Sequence, residues 1–294
     1  MSSLAVAVAR PRTVLRDYAT LTKPKVQSLL LFTTVTTMYV AGDPSIGLVA
    51  LTVLGGSLSA GGAAAVNHFW DRDIDAAMKR TSSRPVPSGR VSPRSALLFG
   101  LLLQALSFAL LATTVNVLAA CLALAGFVWY AGVYTMWLKR RTPQNIVIGG
   151  AAGAVPPLVG WAAVTGGLAP TALYLFAIVF YWTPPHFWAL SLLMKDEYAA
   201  VGVPMMPVVR GEAETRRQVL LYAALLVILT LLPVAFGLLG LSYGVAAGRL
   251  GGAFLVRAYD LYRQADRASA LRTYLFSLAY LALLFAAMVL DAKV

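Results

Sequence analysis

Hydrophobic residues run along this chain in long blocks separated by short polar stretches. This is neither the period-two pattern of a half-buried strand nor the one-sided stripe of a soluble helix. Asking for about 20 apolar residues per bilayer crossing picks out nine blocks, at 26–41, 46–69, 95–113, 115–138, 146–165, 169–194, 219–239, 241–261 and 273–290. Lipid offers no hydrogen-bond partner to a backbone amide, so every block is predicted to be a helix. The expected fold class is an all-α membrane protein, a bundle of about nine transmembrane helices with a central cavity open near the cytoplasmic side. Residues 1–24 are expected to form a cytoplasmic tail and interfacial segment, because the apolar run before Arg10 is too short for a secretory signal. Residues 25–294 are expected to form one polytopic domain.

Composition agrees with that setting. Of 294 residues, 59% are hydrophobic and 12% charged, about half the charge of an average soluble domain. The single cysteine, Cys121, sits in an apolar run and is read as a small core residue, since one thiol builds neither a disulfide nor a thiolate metal site. A net charge of +12 would suit a nucleic-acid binder. The basic residues alternate with membrane-length segments instead of covering a soluble face, so nucleic acid is excluded as a partner. With nine crossings, every Lys and Arg except Arg249 and Lys293 falls on one side, while the connections around Asp43, Thr114, Gly166 and Gly240 carry none. By the positive-inside rule that side is cytoplasmic. The N-terminus is then inside and the C-terminus outside a cell's inner or plasma membrane.

All acidic residues except Asp43 and Asp291 share that face, and positive-inside sorting gives no reason for acids there. In NHFWDRDIDAAMKR, Asn67, Asp71 and Asp75 recur every four residues, each advancing by only about 40° on a helix. Their oxygens form one column, and Asp73 points to the other side. Three hard oxygen ligands at a helix end suit Mg2+, which prefers one or two carboxylates plus waters and substrate phosphates. An ion bridging to a diphosphate is the simplest use. The competing reading is a solvated helix end whose aspartates pair with Lys79, Arg80 and Arg84. Other loops on this face repeat the theme. LLMKDEYAAVGVPMMPVVRG brings Asp196, Glu197, Tyr198 and Arg210, and YTMWLKRRTPQN brings Lys139, Arg140 and Arg141 just past the aromatic end of a helix. Acids for a metal and bases for phosphate oxygens are what a departing diphosphate needs, since negative charge develops on the bridging oxygen. Alone, the basic cluster would be read as topology signal and snorkelling.

The spacing NxxxDxxxD at Asn67, Asp71 and Asp75 resembles the first metal motif of the UbiA-like intramembrane prenyltransferase superfamily. YTMWLKRRTPQNIVIGGAAGAVPPLVGW, WTPPHFWALSL and KDEYAAVGVPMMPVV are similar to its haem-farnesylating branch. The resemblance runs from residue 21 to residue 209, the last three blocks matching in hydropathy only. One feature departs from the superfamily, whose second motif is usually DxxxD. Here Asp196 and Glu197 are followed at i+4 by Ala200 and Val201, so which of the two binds metal stays open.

The resemblance implies transfer of a farnesyl group from farnesyl diphosphate to a vinyl group of haem B, with addition of water, giving haem O. It implies Mg2+ on Asn67, Asp71, Asp75 and the Asp196/Glu197 pair, with Lys23, Lys79, Arg80, Arg84, Lys139 and Arg141 as candidates to neutralise the diphosphate. Aromatic faces combine apolar bulk with a negative quadrupole, which suits an allylic cation. Phe69, Trp70, Tyr130, Tyr134, Trp137 and Tyr198 are placed to line such a cavity, with Tyr134 and Tyr198 as candidate catalytic side chains; each alone reads as an interfacial belt residue. The resemblance also implies hand-over of product to a haem A synthase or terminal oxidase.

His186, in YWTPPHFWAL, is the one histidine deep inside a predicted crossing, and a buried ionisable group in a membrane marks function by default. With haem as acceptor it could ligate iron or hydrogen-bond the porphyrin. The plain alternative is a neutral imidazole bonded to a carbonyl freed by Pro184 or Pro185. His68 sits on a different helical face from Asn67 and is expected to face lipid headgroups. Arg249, alone deep in a predicted crossing, snorkels, marks a misplaced helix or meets a propionate. GGSLSAGGAAAV and GGAAGAVPP supply small faces for close packing, the second expected to break at Pro156 and Pro157. Two rivals remain: prenylation of another ring, such as 4-hydroxybenzoate in quinone biosynthesis, and secondary transport. A transporter would place its acids mid-membrane, whereas here they gather at one interface.

Overall fold

A computed structural model of the protein describes residues 11–293, and among these every regular element is a helix. The first ten residues of the expected tail lie outside the described residues. α1 (Pro11–Leu21) precedes α2 (Pro24–Ala41) and α3 (Ile46–Trp70), and a short α4 (Arg72–Ala77) continues α3 past a break at Asp71. α5 (Pro93–Thr114) and α6 (Val117–Val128) follow, and the chain runs on from α6 as ten residues of π-helix, Trp129–Leu138. α7 (Asn145–Gly149) and α8 (Ala151–Thr165) are separated only by Gly150. Then come α9 (Pro170–Leu193), the short α10 (Lys195–Ala200) and α11 (Met206–Val209), α12 (Gly211–Ala235), α13 (Leu241–Gln264) and α14 (Arg267–Ala292).

Local chemistry sets the ends. Pro24, Pro93 and Pro170 stand in first turns, where a missing N–H costs nothing. The side chains of Ser45, Ser92, Asn116 and Asp266 cap α3, α5, α6 and α14 by accepting a backbone N–H. α12 begins at Gly211, well ahead of residue 219, because Glu212 pairs with Arg216 and Glu214 with Arg217 along its first turns. The pair Pro156 and Pro157 lies inside α8 rather than breaking it; the interruption falls at Gly150.

Six segments are long and apolar enough to cross a membrane: α3, α5, α6 with its π-helical extension, α7 with α8, α12 and α14. The other three expected crossings fall short of that measure by composition. α2 carries Lys25, Gln27 and a run of threonines, α9 three prolines among Tyr, Trp and His, and α13 Arg249, Arg257, Asp260 and Arg263.

The long helices pack in two groups. α3 lies along α5, α5 on α6, α6 on α8 and α8 on α2; α9 packs on α12 and α14, and α13 lies against both α12 and α14. Contacts of α8 with α9 and of α2 with α14 join the groups. Small residues set the closest approaches. A Cβ on Gly62 would lie 2.6 Å from the carbonyl oxygen of Gly100, and one on Gly160 2.4 Å from that of Thr34, so α3 meets α5 and α8 meets α2 backbone to backbone. Cys121 is exposed on the outer face of α6, not in the core as expected. At the charged end, α1 and the 78–92 segment cover the end of α3. Leu21, Ala65, Val86, Val91 and Ala96 form a small core there, and Arg90 Nε donates to both oxygens of Asp17 at 3.0 and 3.2 Å.

Candidate active site

Asn67 lies in the last turn of α3 and Asp75 belongs to α4, yet hydrogen bonds run through the junction: Asp71 N–H to Asn67 O at 2.9 Å and Asp75 N–H to Asp71 O at 2.8 Å. The four-residue column therefore survives the break. Its three side chains are buried at 4%, 1% and 3% exposure. Asp73 points the other way and is exposed; both terminal nitrogens of Arg140 donate to it at 2.7 Å and hold its carboxyl down at about 2.

Cations line the column. Lys23 Nζ donates to Asn67 Oδ1 at 2.7 Å, Lys139 Nζ pairs with Asp71 Oδ2, and Arg84 donates to the two oxygens of Asp75 at 2.9 and 2.7 Å. Asn67 uses its amide protons on Asp71 Oδ2 at 2.7 Å and on Thr135 Oγ1 at 3.2 Å, which fixes its Oδ1 toward Lys23. Asp71 Oδ1 is buried with no hydrogen-bond partner. Lys23 adopts the left-handed region, φ 53°, directly before Pro24, a strain of about 1 kcal/mol or more that surrounding structure must hold. Burial, with Arg84 and Lys139 close by, pulls its ammonium down to about 7.

The second acidic loop brings Tyr198 within reach of the column's charges. Tyr198 is buried, which pushes its phenol up, and the charges of Arg80, Glu197, Arg84 and Asp71 act on it. Glu197 is half-buried with Oε2 sealed in and unpartnered, whereas Asp196 is exposed. The rings of Tyr130 and Tyr134 lie 5.5 Å apart, and Asp71 and Tyr198 are within electrostatic reach of both hydroxyls. Tyr134 needs a glycine opposite it: a Cβ on Gly149 would stand 2.3 Å from its Cδ2.

Not every expected residue arrives. Lys79 and Arg141 are exposed, with no ion pair among the described residues, and Trp137 faces outward at 54% exposure. Arg80 is exposed but acts on Tyr198. Trp70 is half-buried, and Phe69 packs on the small core under α1 with Arg72 over its ring. His68 does not face headgroups. It is 1% exposed with neither ring nitrogen hydrogen-bonded, Nδ1 standing 3.9 Å from Asp75 Oδ2, because α1 and the following loop cover the face that a bare helix would turn to lipid. Thr135 and Arg140, absent from the expected site, touch the column; Arg140 stands 3.7 Å from Asp71 Oδ1.

His186 sits apart on α9, which continues through Pro184 and Pro185. Its Nδ1 partner is Ser277 Oγ on α14 at 2.7 Å rather than a freed carbonyl. Arg249 is exposed on α13, with no ion pair among the described residues.

Among the described residues, no three Asp, Glu, His or Cys side chains stand close enough to make a metal cage. Mg2+ asks for less: one or two carboxylates, with phosphate and water oxygens completing its shell. The unpartnered Asp71 Oδ1, with the fixed Asn67 Oδ1 four residues back, is a donor set of that kind, so the residues fit the ion. On the Asp73 side, Ile74, Arg140, Val201 and Val203 line a hollow of about 220 Å3.

A model of the UbiA prenyltransferase family matches residues 29–285, a span that holds every site residue named above except Lys23. The chain belongs to this family. It is 57% identical over 282 residues to a protoheme IX farnesyltransferase of Chloroflexus aurantiacus, covering 95% of this chain and 48% of that protein. It is 55% identical to that of Roseiflexus castenholzii (96% and 53% covered) and 54% identical to that of Synechocystis (95% and 90%). The chain thus spans about half the length of the first two relatives and nearly all of the third. Among solved structures, it is similar to digeranylgeranylglyceryl phosphate synthase with a TM-score of 0.79 at 19% identity, covering 96% of this chain and 100% of that one. A UbiA homologue from Archaeoglobus fulgidus bound to DMAPP and Mg2+ gives 0.64 at 17% identity, covering 92% and 99%. At such identities the UbiA likeness is one of fold.

Proposed function

We propose that this UbiA-family protein transfers a farnesyl group from farnesyl diphosphate to a vinyl group of haem B, with addition of water, giving haem O and diphosphate. The observation that carries the donor half is the buried column Asn67, Asp71, Asp75, ringed by Lys23, Arg84 and Lys139. Relatives named protoheme IX farnesyltransferase, one of them 54% identical over nearly its whole length, support the haem acceptor. The Archaeoglobus homologue with DMAPP and Mg2+ supports a metal and a prenyl diphosphate.

Mg2+, when bound, would offset the negative charge that develops on the diphosphate as the allylic C–O bond breaks. The chain's own residues do the rest. Asp71, Asn67 and Glu197 supply oxygens to the ion, Glu197 rather than Asp196 because only its oxygen is turned inward. Lys23, Arg84 and Lys139 exchange their carboxylate and amide partners for diphosphate oxygens, and exposed Lys79, Arg80 and Arg141 draw the anion to the rim. Tyr130, Tyr134 and Tyr198 present ring faces and hydroxyls to the allylic cation. Attack by the vinyl carbon forms the C–C bond, and water captures the resulting cation, its proton leaving to solvent.

The same reading makes α2, α9 and α13 crossings too, giving nine around a central cavity. Omitting any one would scatter the Lys and Arg of successive loops over both faces. The charged end is then cytoplasmic, with the N-terminus inside, the C-terminus outside, α1 at the interface and residues 25–294 as the prenyltransferase domain. Haem O would pass to a haem A synthase or terminal oxidase.

The test incubates purified protein with haem B, farnesyl diphosphate and Mg2+ and weighs the product, with 4-hydroxybenzoate as competing acceptor. A haem heavier by farnesyl plus water is expected, and Asp71→Ala abolishes it in a protein that still melts cooperatively. Product formed without divalent metal, or prenylation of 4-hydroxybenzoate alone, would overturn the reading.

A further inference from the structure

His186 is a buried titratable group for which the diphosphate chemistry has no use. Its Nδ1 lies 2.7 Å from Ser277 Oγ. Ser277 has one hydroxyl proton and donates it to the carbonyl oxygen of Tyr274 at 2.6 Å. The hydroxyl therefore meets the imidazole as an acceptor, and Nδ1 carries the ring proton. The lone pair of the neutral ring is left on Nε2. Trp182 stacks on the imidazole at 4.3 Å and 19°, and Tyr274 lies 4.9 Å away at 31°. Trp182 is itself tied down, its Nε1–H donating to the Ser277 carbonyl oxygen at 2.8 Å. One residue of α14 thus sets both the ring's tautomer and the indole beside it. Nε2 has no hydrogen-bond partner among the described residues, and unlike both nitrogens of His68 it is not sealed from the surface. A neutral imidazole whose Nδ1–H is anchored on an oxygen while Nε2 stays bare is the arrangement of a metal-bound histidine. The ring stands about 10 Å along α9 from the charged end at Leu193. That is too far to share the cation of the Asp71 column, and suits a broad flat acceptor whose edge must reach the prenyl carbon.

We propose that His186 Nε2 is an axial ligand to the iron of the acceptor haem, and that Ser277 is the positioning residue that holds the ring in the ligating tautomer. This rests on the haem reading above.

The experiment titrates the full chain in detergent with ferric haem B, followed by its Soret band, and with metal-free protoporphyrin IX, followed by tryptophan quenching. His186→Ala is expected to lose the imidazole-ligated spectrum and at least tenfold in haem affinity, about the cost of disturbing a ligand shell. Its affinity for the metal-free ring stays unchanged, and added imidazole restores the spectrum. Ser277→Ala keeps the spectrum but weakens haem binding by about tenfold. A His186→Ala protein that binds haem with unchanged spectrum and affinity, or that loses haem and metal-free porphyrin equally, overturns the ligand assignment while leaving farnesyl transfer standing. If the parent protein binds neither ring, both readings fall. Should His186→Ala fail to fold, Ser277→Ala decides: equal affinity for haem in that variant and the parent overturns the positioning scheme.

Discussion

Replacing Lys139 by methionine keeps its aliphatic length and removes the ammonium that pairs with Asp71. Asp71 is 1% exposed, so the change leaves a buried carboxylate without its main counter-charge, and breaking a buried pair costs about 3–5 kcal/mol. Two contacts soften the loss. Asn67 Nδ2 still donates to Oδ2 at 2.7 Å, and Arg140 stands 3.7 Å from Oδ1. These place the cost at the low end, about 3 kcal/mol. At about 2 °C per kcal/mol for a chain of this size, the melting temperature in detergent should fall by about 6 °C. The role proposed for the column adds an expectation of opposite sign. With the ammonium gone, both Asp71 oxygens can turn to a divalent ion, so added Mg2+ should stabilise the variant more than the parent, the gain following RT ln(1 + [L]/Kd). Farnesyl transfer falls, because the diphosphate loses a donor. Scanning fluorimetry across an Mg2+ series reads both effects. An unchanged melting temperature without metal refutes the buried pair. A variant that melts lower yet gains no more from Mg2+ than the parent refutes Asp71 as a metal ligand.

Glu197→Gln should lower turnover and weaken the Mg2+ dependence by at least tenfold, whereas Asp196→Asn stays within twofold, on the scale of one charge-assisted contact worth about 1.5–3 kcal/mol; equal effects in metal-titrated assays would mean that the inward turn of Glu197 is irrelevant. Gly149→Ala drives a methyl into the Tyr134 ring at 2.3 Å, and since that ring cannot bend, a cost of about 1–3 kcal/mol and a loss of turnover are expected; a fully active variant would show that Tyr134 is not held by this contact. Lys23 has a folded value of about 7 against 10.5 unfolded, so between those pH values the unfolded chain binds the extra proton. Stability should therefore climb as pH rises through that window, the penalty being fully present below about 7. Melting curves of Lys23→Met should lack that part of the climb, and parallel pH profiles for the two proteins would rule it out.

The bundle and the acidic column were legible because each rests on a rule that acts on spacing. Lipid forces whole apolar blocks into helices, and a four-residue repeat keeps Asn67, Asp71 and Asp75 together even across the break at Asp71. Depth was not legible. Lys139, Arg140 and Arg141 are equivalent as composition, yet the first reaches Asp71, the second grips Asp73 and the third faces out. What separates them is how the chain winds just before. On an α-helix, the nine residues from Tyr130 to Lys139 would put the two on opposite faces, about 180° apart. In the π-helical Trp129–Leu138 the ladder closes on the fifth residue back, Lys139 N–H to Tyr134 O at 2.9 Å. The wider turn brings Tyr130, Tyr134 and Lys139 to the Asp71 side together. WYAGVYTMWL is apolar on every face, so no hydrophobic period announces that winding. The same indifference hid Thr135, whose hydroxyl orients the Asn67 amide from within that turn. A wider turn of backbone, rather than any one side chain, is what joins the aromatic wall to the basic donor in this site, and such a turn is specified by packing against Gly149 and α3, which only tertiary contact supplies.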